Sequence, residues 1–323
     1  MAVPEQEPLI RIGISSCLLG ERVRFDGNHK HDTYITETLG RYFEFVPVCP
    51  EVAIGLGIPR EPIRLTGDPA APRAVGVRDA SLDVTDRLAA YGRRMARALG
   101  GASAISGYIV KRKSPSCGME RVKIFAAPGA APRSGRGVYT RALMEAQPLL
   151  PVEEEGRLAD PVLRENFIER VYAYRRWQDM LAAGLSAARL VDFHTVHKLS
   201  IMAHGPEHYR RLGRLVSHLG RGNLKPRAEE YVTGFMEALR HRATRKRHTN
   251  VLMHLLGYLK RELDGADKAE LVEVIDTYRL GQVPLVVPIT LLRHHFRRHP
   301  HPYIEKQVYL SPHPKELMLR NMI

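Results

Sequence analysis

Cysteine and tryptophan are the scarcest residues of this 323-residue sequence, with three and one. Three cysteines exclude a framework of several disulfides. An odd count leaves unrelated buried thiols or one shared three-thiolate site. No C-x-x-C pair occurs, so a local zinc or dithiol motif is excluded as well. No apolar run approaches ~18 residues, which removes a membrane-spanning helix from the expectation. Met1 to Pro8 is short, polar and acidic, without a basic start or an apolar segment. A secretory signal is therefore not expected, and cytoplasmic residence is. Acidic side chains are in deficit, 35 against 49 lysines and arginines, for a net charge of +14. That excess favours polyanionic partners, because each phosphate contact releases counterions.

Against these absences, the composition is that of a soluble globular protein, 44% hydrophobic and 26% charged. The length suits two domains better than one core. Leu9 to Ile14 reads as a first strand and runs into Ser15-Ser16-Cys17-Leu18-Leu19-Gly20. Arg24 to His31 is turn-rich, and Asp26, Asn28, His29 and His31 are candidate site residues on it. Thr33 to Tyr42 reads as a short helix. Phe43 to Val48 reads as a second strand ending at Cys49-Pro50-Glu51, with a helix over Val52 to Leu56 after the proline. Glu51 at a helix start is a candidate general base or acid beside Cys49.

Arg60 to Arg73 reads as a Pro-, Gly- and charge-rich excursion. Arg60 and Arg64 are candidates for a substrate phosphate. Asp83 to Leu99 carries a helical apolar stripe closed by Gly100-Gly101. The apolar run Ala104 to Val110 is a third strand. It delivers Lys111, Arg112, Lys113, Ser114, Pro115, Ser116, Cys117 and Gly118 at its exit. Val122 to Ala126, a helix over Gly137 to Ala146, and Leu149 to Val152 complete an α/β pattern with a mostly parallel sheet. Such sheets collect strand exits on one edge. Each cysteine follows a strand exit, at separations of 32 and 68 positions. A shared, fold-built site is the expectation, and three thiolates suit zinc or an iron–sulfur cluster with an open iron.

From Asn166 the pattern is helical, and after Leu190 the composition changes. Thirteen of the fifteen histidines lie beyond residue 190. Residues 191–323 carry 22 lysines and arginines against 13 aspartates and glutamates, a net of +9. Helical spacing covers Phe193 to Ala203, Glu207 to Leu219, Lys225 to His241, Val251 to Leu263 and Lys268 to Arg279, which predicts an all-α bundle. His294 to His301 reads as an irregular polar tail. The densest basic run holds Arg242, Arg245, Lys246 and Arg247, the candidate nucleic-acid contacts. The domain boundary is expected at 185/186.

The motifs Ile14-Ser15-Ser16-Cys17-Leu18-Leu19-Gly20, Arg24-Phe25-Asp26-Gly27, Val48-Cys49-Pro50-Glu51 and Lys113-Ser114-Pro115-Ser116-Cys117-Gly118 resemble the thiouracil desulfidase (TudS) family over about Leu9 to Tyr174. The resemblance implies a 4Fe–4S cluster held by Cys17, Cys49 and Cys117, with Glu51 and Ser114 as the catalytic pair. Ser15, Ser16, Asp26, Asn28, Lys111, Lys113 and Ser116 become candidate substrate contacts. Val196-His197-Lys198-Leu199 and Met202-Ala203-His204 resemble the YbgA-type helical domain over about His194 to Ser311. The fused arrangement is similar to desulfidases of 4-thiouridine in tRNA, which implies a thiolated tRNA as substrate and partner. Two rival readings remain. One is a desulfidase of free thiouracil or thionucleotides, with the helical half docking a partner. The other is a non-enzymatic RNA-binding protein with a structural metal.

Overall fold

The computed structural model describes residues 9–100, 104–125, 133–220 and 223–323. Met1 to Pro8, Gly101 and Ala126, which enter the readings above, lie outside the described residues. The chain divides into two compact units, residues 1–159 and 160–323. The expected boundary at 185/186 differs from this division by the helix Pro161–Ala182, which belongs to the second unit.

The first unit holds two four-stranded sheets. The first is built from β1 (Ile10–Ser15), β2 (Phe43–Val48), β5 (Gly107–Val110) and β8 (Val152–Glu154), in the order β2-β1-β5-β8. All its pairings are parallel, with Ser15 beside Val48 and Ile14 beside Ile109. All four residues of β5 are buried, as expected for an inner parallel strand covered on both faces. The α/β expectation holds for this unit.

The second sheet comprises β3 (Ile63–Thr66), β4 (Arg73–Gly76), β6 (Val122–Phe125) and β7 (Arg133–Gly135), in the order β4-β3-β6-β7. Two of its strands correct the reading of Arg60 to Arg73 as an excursion. The segment pairs as a hairpin, Ile63 with Gly76 through Thr66 with Arg73. Its Pro, Gly and charged residues fill the connection, while Ile63, Leu65 and Ala74 face the core. That core also contains Leu88 of α2 (Thr85–Ala98) and Val138 of α3 (Val138–Ala146). Thr33 to Tyr42 is also corrected. It forms one π-helical turn, Tyr34–Thr38, and one 3₁₀ turn, Leu39–Arg41, with Ile35 and Leu39 buried along it. The short α1 (Pro50–Ala53) starts at the proline itself, two residues before the expected start at Val52, and ends before the expected Leu56.

The second unit is helical: α4 (Pro161–Ala182), α5 (Ala187–His204), α6 (Pro206–Ser217), α7 (Leu224–Arg240), α8 (Arg245–Leu259), α9 (Gly265–Arg279), α10 (Val286–Arg298) and the short α11 (Pro302–Glu305). The side chains of Asp160, Ser186, Asn223, Thr244 and Asp264 cap five of these helices. Each such cap contributes about 1 kcal/mol. Leu199, Val251, Leu255, Leu271, Ile275, Leu292 and Tyr309 share one core. The reading of His294 to His301 as an irregular tail is corrected in part. His294 and His295 lie within α10, whose apolar face is carried by Ile289, Leu292 and Phe296. Among the described residues, no helix is long and apolar enough to cross a membrane.

Candidate functional site

Three strands of the parallel sheet deliver one cysteine each to the same edge. Cys17 sits in the 3₁₀ turn Ser16–Leu19 directly after β1, Cys49 caps α1 directly after β2, and Cys117 lies seven residues beyond β5. All three are free, with Cys17 and Cys117 buried and Cys49 half-buried. They line a single cavity of about 300 Å³ together with Ser15, Ser16, Glu51, Arg60, Lys111 and Ser114. Arg24, Phe25, Arg112 and Lys113 also face it.

The loop after β5 is fixed by hydrogen bonds at both ends. The Lys111 amide donates to Ser15 Oγ (3.0 Å). Ser114 Oγ accepts from the amides of Ser116 (3.3 Å) and Cys117 (3.1 Å), so it folds the loop that presents the thiol. The Thr140 hydroxyl donates to the Cys117 carbonyl (2.6 Å), and the Val138 amide donates to the Pro115 carbonyl (3.0 Å). The start of α3 therefore clamps the cysteine loop. Gly137 makes that approach possible, since a Cβ there would stand 2.5 Å from the carbonyl carbon and oxygen of Ser116.

Glu51 is held from two sides. Its Oε1 accepts from the Ser116 hydroxyl (2.6 Å), and its Oε2 accepts from Arg60 Nε (2.8 Å). Arg60 is fixed in turn by the carbonyls of Gly57 (3.0 Å) and Val23 (2.9 Å). The Cys49 thiol donates to the same Val23 carbonyl (3.6 Å). Charge-assisted bonds of this kind are short, directional and roughly twice as strong as neutral ones. Lys111 is paired with Glu155, whose other oxygen accepts from the Arg112 amide (2.7 Å).

Burial pushes the Cys17 thiol up to about 11, with Cys49 adding to the rise and Lys111 and Arg24 opposing it. Burial also raises Cys49, and it raises Cys117 well above the ordinary range, with Glu51 and the other two cysteines adding to that rise. The three sulfurs thus sense one another electrostatically. Removing their protons in this place needs a compensating cation. Among the described residues, no three His, Cys, Asp or Glu side chains converge closely enough to ligate one metal ion.

The structure brings most of the anticipated site residues together: Cys17, Cys49, Cys117, Ser15, Ser16, Glu51, Lys111, Lys113 and Ser114 line the cavity. Ser116 is fully buried behind it, as the hydroxyl partner of Glu51. Asp26 and Asn28 do not line it. They are exposed, and the Asp26 carboxylate is engaged by the Asn28 amide (3.1 Å) and Arg24 (3.4 Å). Arg60, read from sequence as a phosphate ligand, is instead the partner of Glu51. Glu155 was missed altogether. Its only signal was the acidic run Glu153-Glu154-Glu155 at the end of the last parallel strand.

In the second unit, two of the four anticipated nucleic-acid residues turn inward. Arg245 donates to the Tyr278 carbonyl (2.9 Å) and lies over its ring, and Arg247 donates to the His204 carbonyl (2.6 Å). Arg242 and Lys246 are exposed.

A parallel sheet that presents buried thiols, a gripped carboxylate and cations at adjacent strand exits defines an α/β protein with a fold-built reactive site. Residues 12–155 match the family model described as 2-thiouracil desulfurase, and residues 198–314 match that of DUF1722, a protein of unknown function. YbgA of Escherichia coli K12 is 31% identical over 153 residues, covering 47% of this chain and 90% of that protein. YbbK of Bacillus subtilis 168 is 34% identical over 111 residues, covering 32% of this chain and 71% of that protein. A solved structure of the 4Fe–4S-dependent thiouracil desulfidase TudS is 31% identical, covers 47% of this chain and 94% of its own, and has a TM-score of 0.37. The chain belongs to the 2-thiouracil desulfurase family through its first unit and to the DUF1722 family through its second.

Proposed function

We propose that this protein is an iron–sulfur-dependent desulfidase that converts 4-thiouridine in tRNA to uridine. The observation that carries the reading is the meeting of Cys17, Cys49 and Cys117 in one cavity with the gripped carboxylate of Glu51. The residues present suit a cysteine-ligated cluster. They are three free thiols on three strand exits, two buried and one half-buried, where loss of their protons calls for a cationic group. Cys17, Cys49 and Cys117 would hold the cluster. When bound, it supplies a soft, open iron that polarises a thiocarbonyl sulfur.

The protein's own groups supply the proton chemistry. Arg60 fixes Oε2 of Glu51, which leaves Oε1 as the working oxygen. That oxygen accepts a proton from water as water attacks the ring carbon and passes it to the departing sulfur, while the buried Ser116 hydroxyl, donating to the same oxygen, holds it in place. Ser114 keeps its hydroxyl hydrogen for the substrate while its lone pairs hold the Cys117 loop. Lys113 holds anionic groups of the nucleotide in the cavity, where Lys111 is already neutralised by Glu155. The net change is water in and hydrogen sulfide out, C=S replaced by C=O, with no change of oxidation state. The basic second unit, net +9 over residues 191–323, supports a polyanionic substrate.

The test is anaerobic incubation of the full chain with thiolated tRNA and, separately, with free 4-thiouridine and 2-thiouracil. Sulfide release from the tRNA, stoichiometric with loss of 4-thiouridine and absent in Cys117→Ala, is the expected result. Release from the free compounds alone would contradict the tRNA substrate. No release from any of them would contradict the enzyme, and would leave an RNA-binding protein with a structural metal.

A further inference from the structure

Outside the thiol cavity, the second unit has a broad open groove of about 670 Å³ between α5 and α6. His194, Lys198, Tyr209, Arg210 and Arg214 line it, and no carboxylate does. Arg210 and Arg214 are exposed and one helical turn apart, a like-charge pair that is unfavourable when nothing neutralises it. Among the described residues, none of Lys198, Arg210 and Arg214 has an acidic partner. The neighbouring Arg211, on the same helix but outside the groove, is paired with Glu237 (3.1 Å). The fold thus neutralises the arginine beside the groove and leaves the groove's own cations open.

The lining adds more than charge. Lys198 stands 5.6 Å from the centre of the half-buried Tyr209 ring, which presents an aromatic face beside a cation. His194 is buried, and its Nδ1 lies 3.2 Å from the Tyr231 hydroxyl. Burial, with Lys198 adding to it, pulls His194 down to about 4, so the ring is neutral at pH 7. With Nδ1 engaged by Tyr231, Nε2 is the ring nitrogen left for a ligand. The groove therefore combines three free cations, a neutral imidazole and an aromatic ring. Phosphates take the cations and bases stack on the ring.

We propose that this groove binds the phosphate backbone of RNA, an assignment that rests on the tRNA reading above and locates where the second unit grips that substrate. The basic run at 242–247 is the weaker candidate, since Arg245 and Arg247 are spent on carbonyls of the fold. A membrane surface is the competing occupant. It is disfavoured because the apolar side chains of the lining are only Val191 and Val216, without the Trp, Phe or Leu that insert at a bilayer interface, and because α6 is only 12 residues long.

The experiment measures binding of unmodified tRNA to the full chain across ~50–200 mM salt. Wild type is compared with K198Q/R210Q/R214Q and with R242Q/K246Q. Each backbone contact contributes about 0.7–0.9 to the slope of log K against log salt. The triple variant should lower that slope by about two to three and weaken binding at least about tenfold at ~100 mM salt, while the double variant stays near wild type. If the triple variant fails to fold, the three single variants carry the test, each lowering the slope by about one.

Wild-type affinity and slope in the triple variant would overturn the groove. Equal losses in the triple and double variants would overturn it too, in favour of diffuse charge. Wild-type chain that desulfurates free 4-thiouridine but binds no tRNA would overturn it while sparing the enzyme. Triple-variant loss of binding to phosphatidylglycerol vesicles with tRNA binding intact would give the groove to a membrane surface.

Discussion

Replacing Gly137 with alanine should separate the cysteine site from the fold. Gly137 has ordinary backbone angles, φ −61° and ψ 140°, so alanine meets no torsional penalty there. The obstacle is space. The new methyl would lie 2.5 Å from the carbonyl carbon and oxygen of Ser116 and 2.8 Å from the Cys117 nitrogen. Ordinary contact begins near 3.4 Å, so α3 and the Ser114–Cys117 loop must part by roughly 0.9 Å. That movement strains the Thr140 bond to the Cys117 carbonyl (2.6 Å) and shifts the Cys117 thiol relative to Cys17 and Cys49. Overpacking costs about 1–3 kcal/mol, which a two-sheet unit survives, whereas a displacement near 1 Å at a reacting centre costs on the order of a hundredfold in rate. The assay is iron content, sulfide release and thermal unfolding of Gly137→Ala beside Gly257→Ala, whose methyl meets nothing within 4 Å in helix α8. Gly257→Ala should keep full iron and gain up to about 1 kcal/mol. A Gly137→Ala protein with wild-type iron and wild-type turnover would refute the clamp.

The two serines of the cysteine loop should fail differently. Ser116→Ala removes a 2.6 Å bond to the Glu51 carboxylate, worth about 1.5–3 kcal/mol. Its kcat/KM should fall roughly 10- to 100-fold with iron content unchanged, and an unchanged rate would contradict the positioning of Glu51 by Ser116. Ser114→Ala removes the acceptor of two loop amides and should lower iron retention as well as rate. Full iron content in that variant would show that the loop does not depend on it. The second unit should lose stability in mild acid. Burial holds His194 at about 4 and His197 and His248 at about 3, against an ordinary 6.5. The unfolded chain takes up these protons near pH 6.5 and the folded chain does not. Their contribution is therefore complete above 6.5 and lost as pH falls toward 4, by at most about 1.4 kcal/mol per pH unit for each histidine. The buried Glu169–His204 pair (3.1 Å) works in another window. Burial pushes Glu169 up, but the His204 charge outweighs it and holds the carboxyl at about 2, and Glu169 in turn raises His204 above its ordinary value against the effect of burial. That pair contributes fully between about 4.5 and 6.5, losing its His204 part as pH rises and its Glu169 part as pH falls. Denaturant unfolding followed by Trp177, the single tryptophan and buried in this unit, should give a lower midpoint at pH 5 than at pH 7. An equal or higher midpoint at pH 5 would contradict the buried neutral histidines.

What the sequence made legible was decided by how much each residue depends on near neighbours. The strand exits were readable because apolar runs at Ile10–Ile14, Phe43–Val48 and Gly107–Val110 end abruptly in small or polar residues, and a parallel sheet sends such ends to one edge. The helical second unit was readable from 3.6-residue spacing. The hairpin Ile63–Gly76 was not, because each strand has four residues and the charged connection dominates the composition. Arg245 and Arg247 looked like surface charge, yet they satisfy carbonyls 33 and 43 positions away, respectively, which no local pattern signals. The motif drew attention to Ser114 beside Glu51, whereas the hydroxyl that meets Glu51 is Ser116. Two residues of offset in a tight turn invert which side chain faces the carboxylate. Arg60 was visible as a cation but not as the partner of Glu51, because that pairing depends on how the chain returns past Val23.

The central claim is that three strand-exit thiols hold one iron–sulfur group. The most direct measurement is the iron and acid-labile sulfide content, with the visible spectrum, of the full chain purified without oxygen, beside Cys17→Ala, Cys49→Ala and Cys117→Ala. The account predicts about four irons and four sulfides per chain in the wild type and their loss in each variant. A colourless wild type holding stoichiometric zinc, or a cluster that survives removal of any one of the three cysteines, would contradict it.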